Sequence, residues 1–545
     1  MDVAVLREAL QDPAVYPEPT TTVEVRETHI SLVFLTDRYA YKFKKPVDLG
    51  FLDFSTLEQR RFYCEQELSL NRRLSSGIYL EVVALHQDDQ RYTFADHGPI
   101  AEYAVKMRRL PPDRSLEALL QGDEITPEII QALARRLVTF HADHPLPISS
   151  ESYGTLERVR ADWEENFAQT ADSIGRTQPR QTYLKIQQAV TAFTARHAAW
   201  FAQRVRDGRI RDCHGDLRAE HIYFEPQQMQ IIDCIEFNQR FRFIDVTSEV
   251  AFLAVDLERL GAPAVAHRFV RAYVQHSGDV SMHRLLDFYR CYRAYVRGKV
   301  THIRLQAGLP PELRAHLQRR AESYFALAAR YADRLDRPLL LLTTGLIASG
   351  KSTVANGIAA ALDLNLFSSD RVRKDMAGIA PETSQQAAYG AKLYSPATTQ
   401  RTYDALADLA RQALRRGESV ILDASFAKRR ARQRMAALAQ EMKARYGVLE
   451  CWAPESTLRE RLRARKRLAT SISDAREEIL SQFQRDYEPV QADEAACCVR
   501  LDTTQGVEQC IQQALAAIQL MEALVIDGHV DPGGPLGGVA GLQEL

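Results

Sequence analysis

Short apolar runs alternate with amphipathic segments in the C-terminal part of this 545-residue chain. Residues 339–343 (LLLLT), 364–369 (LNLFSS), 419–423 (SVILD) and 448–454 (VLECWAP) are apolar runs of strand length, and segments of helical periodicity separate them. Strands that alternate with helices in this way are typical of a doubly wound α/β domain with a parallel sheet. We therefore predict that fold for the C-terminal domain.

The N-terminal part of the chain has strand patterns early and helical patterns late. Residues 32–43 (LVFLTDRYAYKF) predict a hairpin, residues 103–110 (YAVKMRRL) predict a further strand, and residues 222–233 (IYFEPQQMQIID) predict a strand, a turn and a strand. The rest, as far as about residue 335, is largely helical in pattern. Strands grouped apart from helices predict an α+β architecture for this half.

Length and local composition divide the chain into domains. A chain of this length should hold more than one domain, and a helical segment at 322–335 (ESYFALAARYADRL) precedes the apolar run that opens the C-terminal domain. We predict one domain at 1–335, a second at 336–522, and a disordered, Gly-rich tail at 523–545.

Charge and cysteine content exclude several classes of protein. The net charge is −1, so the chain has no global basic field for nucleic acid or a membrane surface. No apolar run approaches the ~20 residues of a membrane span, and the N-terminus lacks a signal-peptide core. The eight cysteines include no C-x-x-C pair, which favours reduced thiols. We expect a cytoplasmic protein without a membrane partner.

Residues 345–352 (GLIASGKS) fit the phosphate-binding pattern G-x-x-x-x-G-K-[ST], between an apolar run and a helical pattern. Glycines allow the backbone to curl around phosphate oxygens, and the loop N–H groups with the helix N-terminus supply positive potential. Lys351 would reach the β and γ phosphates of ATP, and the Ser352 hydroxyl would bind Mg²⁺. The nucleotide-binding candidates are Gly345, Leu346, Ile347, Ala348, Ser349, Gly350, Lys351, Ser352 and Thr353.

Acidic residues follow two of the other apolar runs. Asp423 ends its run in the Walker B arrangement, where the carboxylate holds Mg²⁺ directly or through water, although it could instead handle the acceptor hydroxyl. Asp370 and Arg373 lie three residues apart, on one side of a starting helix. Asp370 could be only a helix N-cap, but a strand end beside a P-loop faces the ligand crevice, which favours a functional role.

The P-loop and the segment SSDRVRKDM (368–376) resemble the small P-loop kinases, a family that includes gluconate kinase, chloramphenicol phosphotransferase and the 5′-polynucleotide kinase module. The resemblance spans about 338–520. It implies that Asp370 orients or deprotonates the acceptor hydroxyl, and that Arg373 holds substrate or phosphate.

The same resemblance implies a lid within RERLRARKRLATSISDAREEIL (459–480). Arg461, Arg465 and Arg467 would there neutralise charge on the transferred phosphoryl group. The alternative for each arginine is a position on a solvated helix face.

Residues 214–221 (HGDLRAEH) and 231–236 (IIDCIE) hold two acids on either side of the predicted hairpin. The H-G-D form resembles that of aminoglycoside phosphotransferases and choline kinases. This resemblance implies a protein-kinase-like bilobal fold, in which Asp216 accepts the proton of the substrate hydroxyl and Asp233 binds the metal ion.

Ala40-Tyr41-Lys42 resembles the lysine strand of that fold. Lys42 and Lys44 face the same side of the strand, and Lys42 is the preferred partner of the α and β phosphates. Glu67, or alternatively Glu65, would form the ion pair that fixes this lysine.

The N-terminal half departs from the family pattern at two places. His221 occupies the metal-binding position where the family has Asn, and a neutral imidazole is a poor ligand for Mg²⁺, which prefers oxygen. The predicted phosphate-covering loop, ETHIS (27–31), contains no glycine. The resemblance therefore supports the fold of this half more strongly than its activity.

Taken together, the chain resembles a fusion of an aminoglycoside-phosphotransferase-like domain with a P-loop kinase. Its specific stretches include YKFKKPVDLGFLDFSTLEQRR, CHGDLRAEHI, IIDCIEFN and GLIASGKST. The resemblance implies transfer of the ATP γ-phosphoryl group to a hydroxyl group of a small molecule, with ATP and Mg²⁺ as cofactors. One alternative is a nucleic-acid 5′-end kinase, which the charge balance and the lack of interleaved aromatic residues disfavour. Another is a regulatory ATPase whose N-terminal domain only senses a ligand.

Overall fold

The computed structural model describes most of the chain and divides into two compact units. The described residues are 3–28, 30–88, 91–147, 152–226, 228–306, 309–379, 395–468 and 480–526. The first unit consists of Met1–Ser277 and Phe288–Ala329, and the second consists of Gly278–Asp287 and Arg330–Leu545.

A six-stranded antiparallel sheet begins the first unit, with the strand order β1-β2-β3-β6-β4-β5. Its strands are β1 (Glu24–Glu27), β2 (Ser31–Leu35), β3 (Tyr39–Lys44), β4 (Tyr79–Asp88), β5 (Arg91–Thr93) and β6 (Ile100–Arg108). Helices α1 (Val3–Ala9) and α2 (Leu57–Asn71) accompany it. The alternation that predicted a hairpin puts Phe34 and Phe43 into one buried cluster, where their rings meet edge to face at 5.7 Å.

Helix α2 is fixed both at its start and against the sheet. Thr56 and Gln59 form a capping box. The buried Arg60 donates from Nε to both oxygens of Glu102 on β6, at 3.0 and 2.9 Å. A buried ion pair of this geometry fixes the orientation of α2 against the sheet, and α2 carries Glu67.

The remainder of the first unit is mainly helical, as predicted. Its helices are α3 (Leu116–Gln121), α4 (Pro127–Asp143), α5 (Leu156–Gln169), α6 (Arg180–Arg196), α7 (Ala198–Arg206), α8 (Val246–Arg259), α9 (Pro263–Ser277), α10 (Leu286–Arg304) and α11 (Pro311–Asp336). Its short strands are β7 (Ile210–Asp212), β8 (Ile222–Glu225), β9 (Gln228–Ile231) and β10 (Phe243–Asp245). Strands β8 and β9 form the predicted hairpin, and β7 pairs with β10. An N-terminal sheet followed by helices confirms the kinase-like architecture.

The second unit is a doubly wound α/β fold around a parallel sheet, which confirms the prediction. The strand order is β12-β13-β11-β14-β15. The strands are β11 (Leu339–Thr344), β12 (Asn365–Ser368), β13 (Val420–Asp423), β14 (Arg445–Trp452) and β15 (Cys498–Asp502). The helices are α12 (Lys351–Leu362), α13 (Ser369–Met376), α14 (Pro396–Arg415), α15 (Arg429–Glu441), α16 (Glu455–Leu468), α17 (Leu480–Asp486) and α18 (Val507–Ile526).

Buried clusters cover both faces of this sheet. One cluster joins the sheet to α12 and α18, and the other joins it to α14 and α15. The sequence did not indicate the fifth strand, β15. Of its five residues only Leu501 is buried, so the segment lacks the apolar run of an internal strand.

The described structure differs from the predicted domain limits in three details. The division between units falls within α11, which begins at Pro311 rather than near 322. Gly278–Asp287 belongs to the second unit, where Arg284 donates from Nε to the carbonyl oxygen of Ala361, at 2.9 Å. Helix α18 continues to Ile526, and the remainder of the predicted tail lies outside the described residues. Among the described helices, none has the length and apolar character of a membrane span.

Candidate active sites

Two lysines of β3 share one buried glutamate of α2. Lys42 Nζ lies 2.8 Å from one oxygen of Glu67 and 2.5 Å from Asp233. Lys44 Nζ lies 2.8 Å from the other oxygen of Glu67 and also pairs with Glu236. Burial disfavours both charges, but the neighbouring carboxylates outweigh it and hold the pKa of each lysine above its usual range.

This arrangement decides between the two glutamates that the sequence offered. Glu65 pairs instead with Arg61, at 3.0 Å on the exposed side of α2, so Glu67 is the residue in contact with Lys42. Sequence reasoning missed Lys44 and Glu236 as members of the same cluster. The only signal for them was a second lysine two residues along the strand and an acid three residues after Asp233.

The backbone of the H-G-D segment is held in place by a buried glutamate and by the conformation of its glycine. The carboxylate of Glu249, on the buried helix α8, accepts hydrogen bonds from the N–H groups of His214 and Gly215, at 2.7 and 3.0 Å. Gly215 has φ = +87°, and a Cβ there would lie 2.8 Å from the Phe241 carbonyl oxygen. Only glycine fits both conditions, and the position of Asp216 in the loop after β7 is thereby fixed.

Asp216, His221 and Asp233 meet in one cluster, with ligand atoms within 4.8 Å of one another. His221 Nδ1 lies 2.9 Å from the Asp216 carbonyl oxygen. Because a carbonyl oxygen only accepts, Nδ1 carries the proton and Nε2 is an acceptor with one lone pair. That lone pair accepts from Arg218 Nη2 at 2.9 Å and lies 3.4 Å from Asp233.

The charges around this cluster keep the acids ionised and the imidazole neutral. Arg218 pairs with Asp216 at 2.9 Å. Burial opposes ionisation of both acids, but cationic neighbours outweigh it and hold the pKa values of Asp216 and Asp233 well below their usual range. Burial, followed by Arg218, lowers the pKa of His221 to about 4.

The cluster fits a divalent cation on its donor chemistry. It presents two ionised carboxylates and one imidazole lone pair, with Asp233 in the left-handed region at φ = 66°. The nitrogen donor suits Mn²⁺ or Zn²⁺ better than Mg²⁺, which prefers oxygen. His221 therefore stays a candidate metal ligand, and its nitrogen donor differs from the oxygen donor of the family pattern.

The P-loop packs closely against the strands behind it. Gly345 has φ = 132°, and a Cβ there would collide with the Cys451 carbonyl oxygen at the end of β14. Gly350 has φ = 87°, and a Cβ there would lie 3.2 Å from Cβ of Thr503. Lys351 Nζ donates to the Leu346 carbonyl oxygen at 2.6 Å, so the lysine side chain lies over its own loop.

Asp423 lies beside the P-loop at the end of β13. Thr343 on the neighbouring β11 donates to its carboxylate at 3.3 Å. Burial raises the pKa of Asp423, against the opposing effects of a hydrogen bond from Ser352 and the charge of Lys351. A carboxylate and a hydroxyl in contact are oxygen donors that fit Mg²⁺.

Asp370 and Arg373 form an ion pair of 2.9 Å on α13. The N-cap of this helix is Ser368, so the simple capping interpretation of Asp370 is wrong. Asp370 also raises the pKa of Asp423, a sign that the two acids share one region. The adjacent wall of this region was not predicted from the sequence. It consists of Tyr403, stacked on Phe426 at 4.9 Å, and Ser425, whose hydroxyl lies 3.3 Å from that of Tyr403.

The predicted lid arginines are only partly described. Arg461 on α16 donates to the Ala348 carbonyl oxygen at 3.3 Å and to Thr503 Oγ1 at 3.0 Å. It therefore braces the P-loop against the segment after β15. Arg465 and Arg467 lie on the same helix, but their side chains fall outside the described residues, as do residues 469–479.

Two family models match the chain. Residues 63–289 match the phosphotransferase enzyme family, and residues 340–490 match the AAA domain. Three curated relatives are each 31% identical over 495 residues, which cover 90% of this chain and 94% of the relative. They are the uncharacterized proteins Rv2004c and MT2060 of Mycobacterium tuberculosis and Mb2027c of Mycobacterium bovis.

Solved structures of kinases resemble parts of the chain. A gluconokinase from Sinorhizobium meliloti is 21% identical and covers 35% of this chain and 98% of its own, with a TM-score of 0.27. A choline/ethanolamine kinase family protein from Mesorhizobium loti is 13% identical and covers 60% of this chain and 99% of its own, with a TM-score of 0.36. At these TM-scores neither structure supports a further conclusion.

Proposed function

This chain belongs to the family of these mycobacterial proteins, with a phosphotransferase domain ahead of a P-loop kinase domain, and on this premise we propose that it transfers the γ-phosphoryl group of ATP to a hydroxyl group of a small molecule. Its domains are of kinase type. Use of ATP with Mg²⁺, the acceptor, and a cytoplasmic location without a membrane partner belong to the proposal.

The meeting of the P-loop with two acids carries the proposal. The strands β11, β12 and β13 are parallel neighbours, so their carboxyl ends lie at one edge of the sheet. The P-loop follows the first, Asp370 follows the second, and Asp423 ends the third. A phosphate-binding loop with one acid for a metal ion and another for the acceptor is the minimum that phosphoryl transfer requires.

The C-terminal residues have separate roles in this proposal. The P-loop N–H groups and Lys351 bind the nucleotide phosphates, and Ser352 with Asp423 would hold Mg²⁺, which neutralises phosphate charge when bound. Asp370 accepts the proton of the acceptor hydroxyl as the new oxygen–phosphorus bond forms and the bond to ADP breaks. Arg373 orients Asp370 through their ion pair.

The N-terminal residues form a second, similar set. Lys42, held by Glu67, binds the α and β phosphates, and Asp233 with His221 would hold the divalent cation. Asp216 is the general base. Its low pKa keeps it ionised at neutral pH, and Arg218 fixes its carboxylate.

Transfer of radiolabelled phosphate by single-site variants of the full chain tests this function. We expect labelled product from small hydroxyl compounds, with one class of product lost in Lys351→Ala and another in Asp216→Asn. Label on 5′-hydroxyl oligonucleotides alone would instead identify a nucleic-acid end kinase. ATP hydrolysis that depends on Lys351, without transfer to any acceptor, would identify a regulatory ATPase.

A further inference from the structure

A cavity of about 50 Å³ lies in the first unit, between α5, α8, α10 and the segment before β10. Its lining includes Arg158, Asp162, Arg240, Asp245, Tyr292 and Arg293, and Asp245 is paired with Arg204 at 2.7 Å. A single water occupies about 10–15 Å³ on this measure, so the cavity has room for a carboxylate or a phosphate group.

Two of the three cavity arginines are neutralised by acids. Arg158 pairs with Asp162 at 2.5 Å, and Arg240 pairs with Glu165 at 2.6 Å. These pairs leave Arg293 as the guanidinium that has no carboxylate partner among the described residues.

Arg293 is buried and incompletely bonded. Arg293 is 5% exposed. Nε donates to the Ser248 hydroxyl at 2.9 Å, and Nη1 donates to the Gly215 carbonyl oxygen at 3.4 Å. Nη2 is buried and has no hydrogen-bond partner within the described part of the chain. A buried cation with an unused donor beside a cavity is costly unless an anion completes it.

The contact with Gly215 puts this cation next to the general base. Gly215 is bonded directly to Asp216, so Arg293 contacts the backbone beside the residue that accepts the acceptor proton. Arg297, one helical turn after Arg293 on α10, also helps to lower the pKa of Asp216. Arg293 and Arg297 therefore bring positive charge near Asp216 from α10, in addition to the charge of Arg218.

We propose that the cavity at Arg293 binds the anionic group, a carboxylate or a phosphate, of the hydroxyl compound that the N-terminal site phosphorylates. The inference rests on the proposed function of that site. It assigns the acceptor to the hydroxy acids or the phosphorylated alcohols. In the reaction the acceptor O–H bond breaks, its proton passes to Asp216, the oxygen bonds to the γ-phosphorus, and the bond from that phosphorus to ADP breaks.

Calorimetric titration of the full chain with inorganic phosphate, and separately with glycerate, tests the site. Saturating ADP and Mg²⁺ occupy the P-loop first. We expect binding of a probe to the wild type and a loss of at least about tenfold in affinity for Arg293→Gln, which removes charge-assisted hydrogen bonds. The matched control is Arg304→Gln, which changes an exposed arginine of the same helix and should leave the affinity unchanged.

The outcomes separate this inference from the proposed function. Loss with glycerate alone assigns a carboxylate, and loss with phosphate alone assigns a phosphate. The site would be overturned if the wild type and Arg293→Gln bound each probe with equal affinity, or if the wild type bound neither probe. This holds even if phosphoryl transfer to uncharged alcohols were observed. If binding of the probe depends on Arg293 but no phosphoryl transfer to any acceptor is observed, the anion site is supported and the kinase activity is refuted. If Arg293→Gln does not fold, Arg293→Lys, which keeps the buried charge but loses the fork of guanidinium donors, should weaken the same binding, and an unchanged affinity would overturn the site.

Discussion

We predict that Lys44 stabilises the first unit by balancing the buried carboxylates of the N-terminal site. Its side chain is 1% exposed and contacts Glu67, which is 0% exposed, and Glu236, which is 6% exposed. Lys44→Met removes the ammonium and leaves Lys42 to balance Glu67, Glu236 and Asp233. Removal of one partner from a buried ion pair costs about 3–5 kcal/mol.

We expect the lower end of that range. Burial already raises the pKa of Glu236, so this carboxyl can take up a proton when Lys44 is lost and relieve part of the penalty. Lys44→Met should therefore destabilise the first unit by about 3 kcal/mol. The double variant Lys44→Met/Glu236→Gln removes both charges and should recover about 1–2 kcal/mol of that loss, within the usual range of coupling energies.

Tryptophan fluorescence during urea unfolding isolates this effect. The chain has three tryptophans, of which Trp163 and Trp200 lie in the first unit and Trp452 lies in the second. In a Trp452→Phe background the emission therefore reports on the first unit. Lys185→Met, which changes an exposed lysine of that unit, is the control and should change stability by no more than about 0.5 kcal/mol. The reasoning fails if Lys44→Met matches this control, or if the double variant is no more stable than Lys44→Met.

Two further predictions concern histidines of the first unit. His221→Asn should remove the nitrogen modulation from the electron spin-echo spectrum of bound Mn²⁺. It should also shift the ratio of the affinities for Mn²⁺ and Mg²⁺ toward Mg²⁺ by about tenfold. Nitrogen modulation that persists in the variant would exclude His221 as a ligand. Burial lowers the pKa of His141 to about 3, so the folded state keeps this ring neutral while the unfolded chain binds a proton below about pH 6.5. Its contribution to stability is complete above that pH and is lost toward pH 3, about 1–2 kcal/mol by pH 5. His141→Gln should flatten that part of the stability curve, and an unchanged pH slope would refute the assignment.

The sequence predicted most of the elements that have strong local patterns. The P-loop, the hairpin between Asp216 and Asp233, and the apolar runs of β11, β13 and β14 all have an uninterrupted local signal. Strand β15 has no such signal because it is short and mostly half-exposed. The sequence predicts that Gly278–Asp287 belongs to the first domain. It lies in the second unit through a tertiary contact, that of Arg284 with α12, which local patterns do not encode.

In the candidate sites, too, the sequence predicted what local motifs encode and did not predict contacts that depend on tertiary packing. The resemblance to aminoglycoside phosphotransferases implied that Lys42, Asp216 and Asp233 would come together, and they lie in one region of the first unit. The unused donor of Arg293 could not be predicted, because it depends on partners 45 and 78 residues away in the sequence. Pairings of this range follow from how helices pack, and helix periodicity alone does not specify which polar groups they bring together.

The most direct test of the central claim is transfer of the labelled γ-phosphate of ATP by the full chain to a panel of neutral and anionic hydroxyl compounds. Wild type, Lys351→Ala, Asp216→Asn and the double variant would be compared under identical conditions. The account predicts labelled product with the wild type, loss of separate products in the two single variants, and no product with the double variant. Equal product formation by the wild type and the double variant would contradict it.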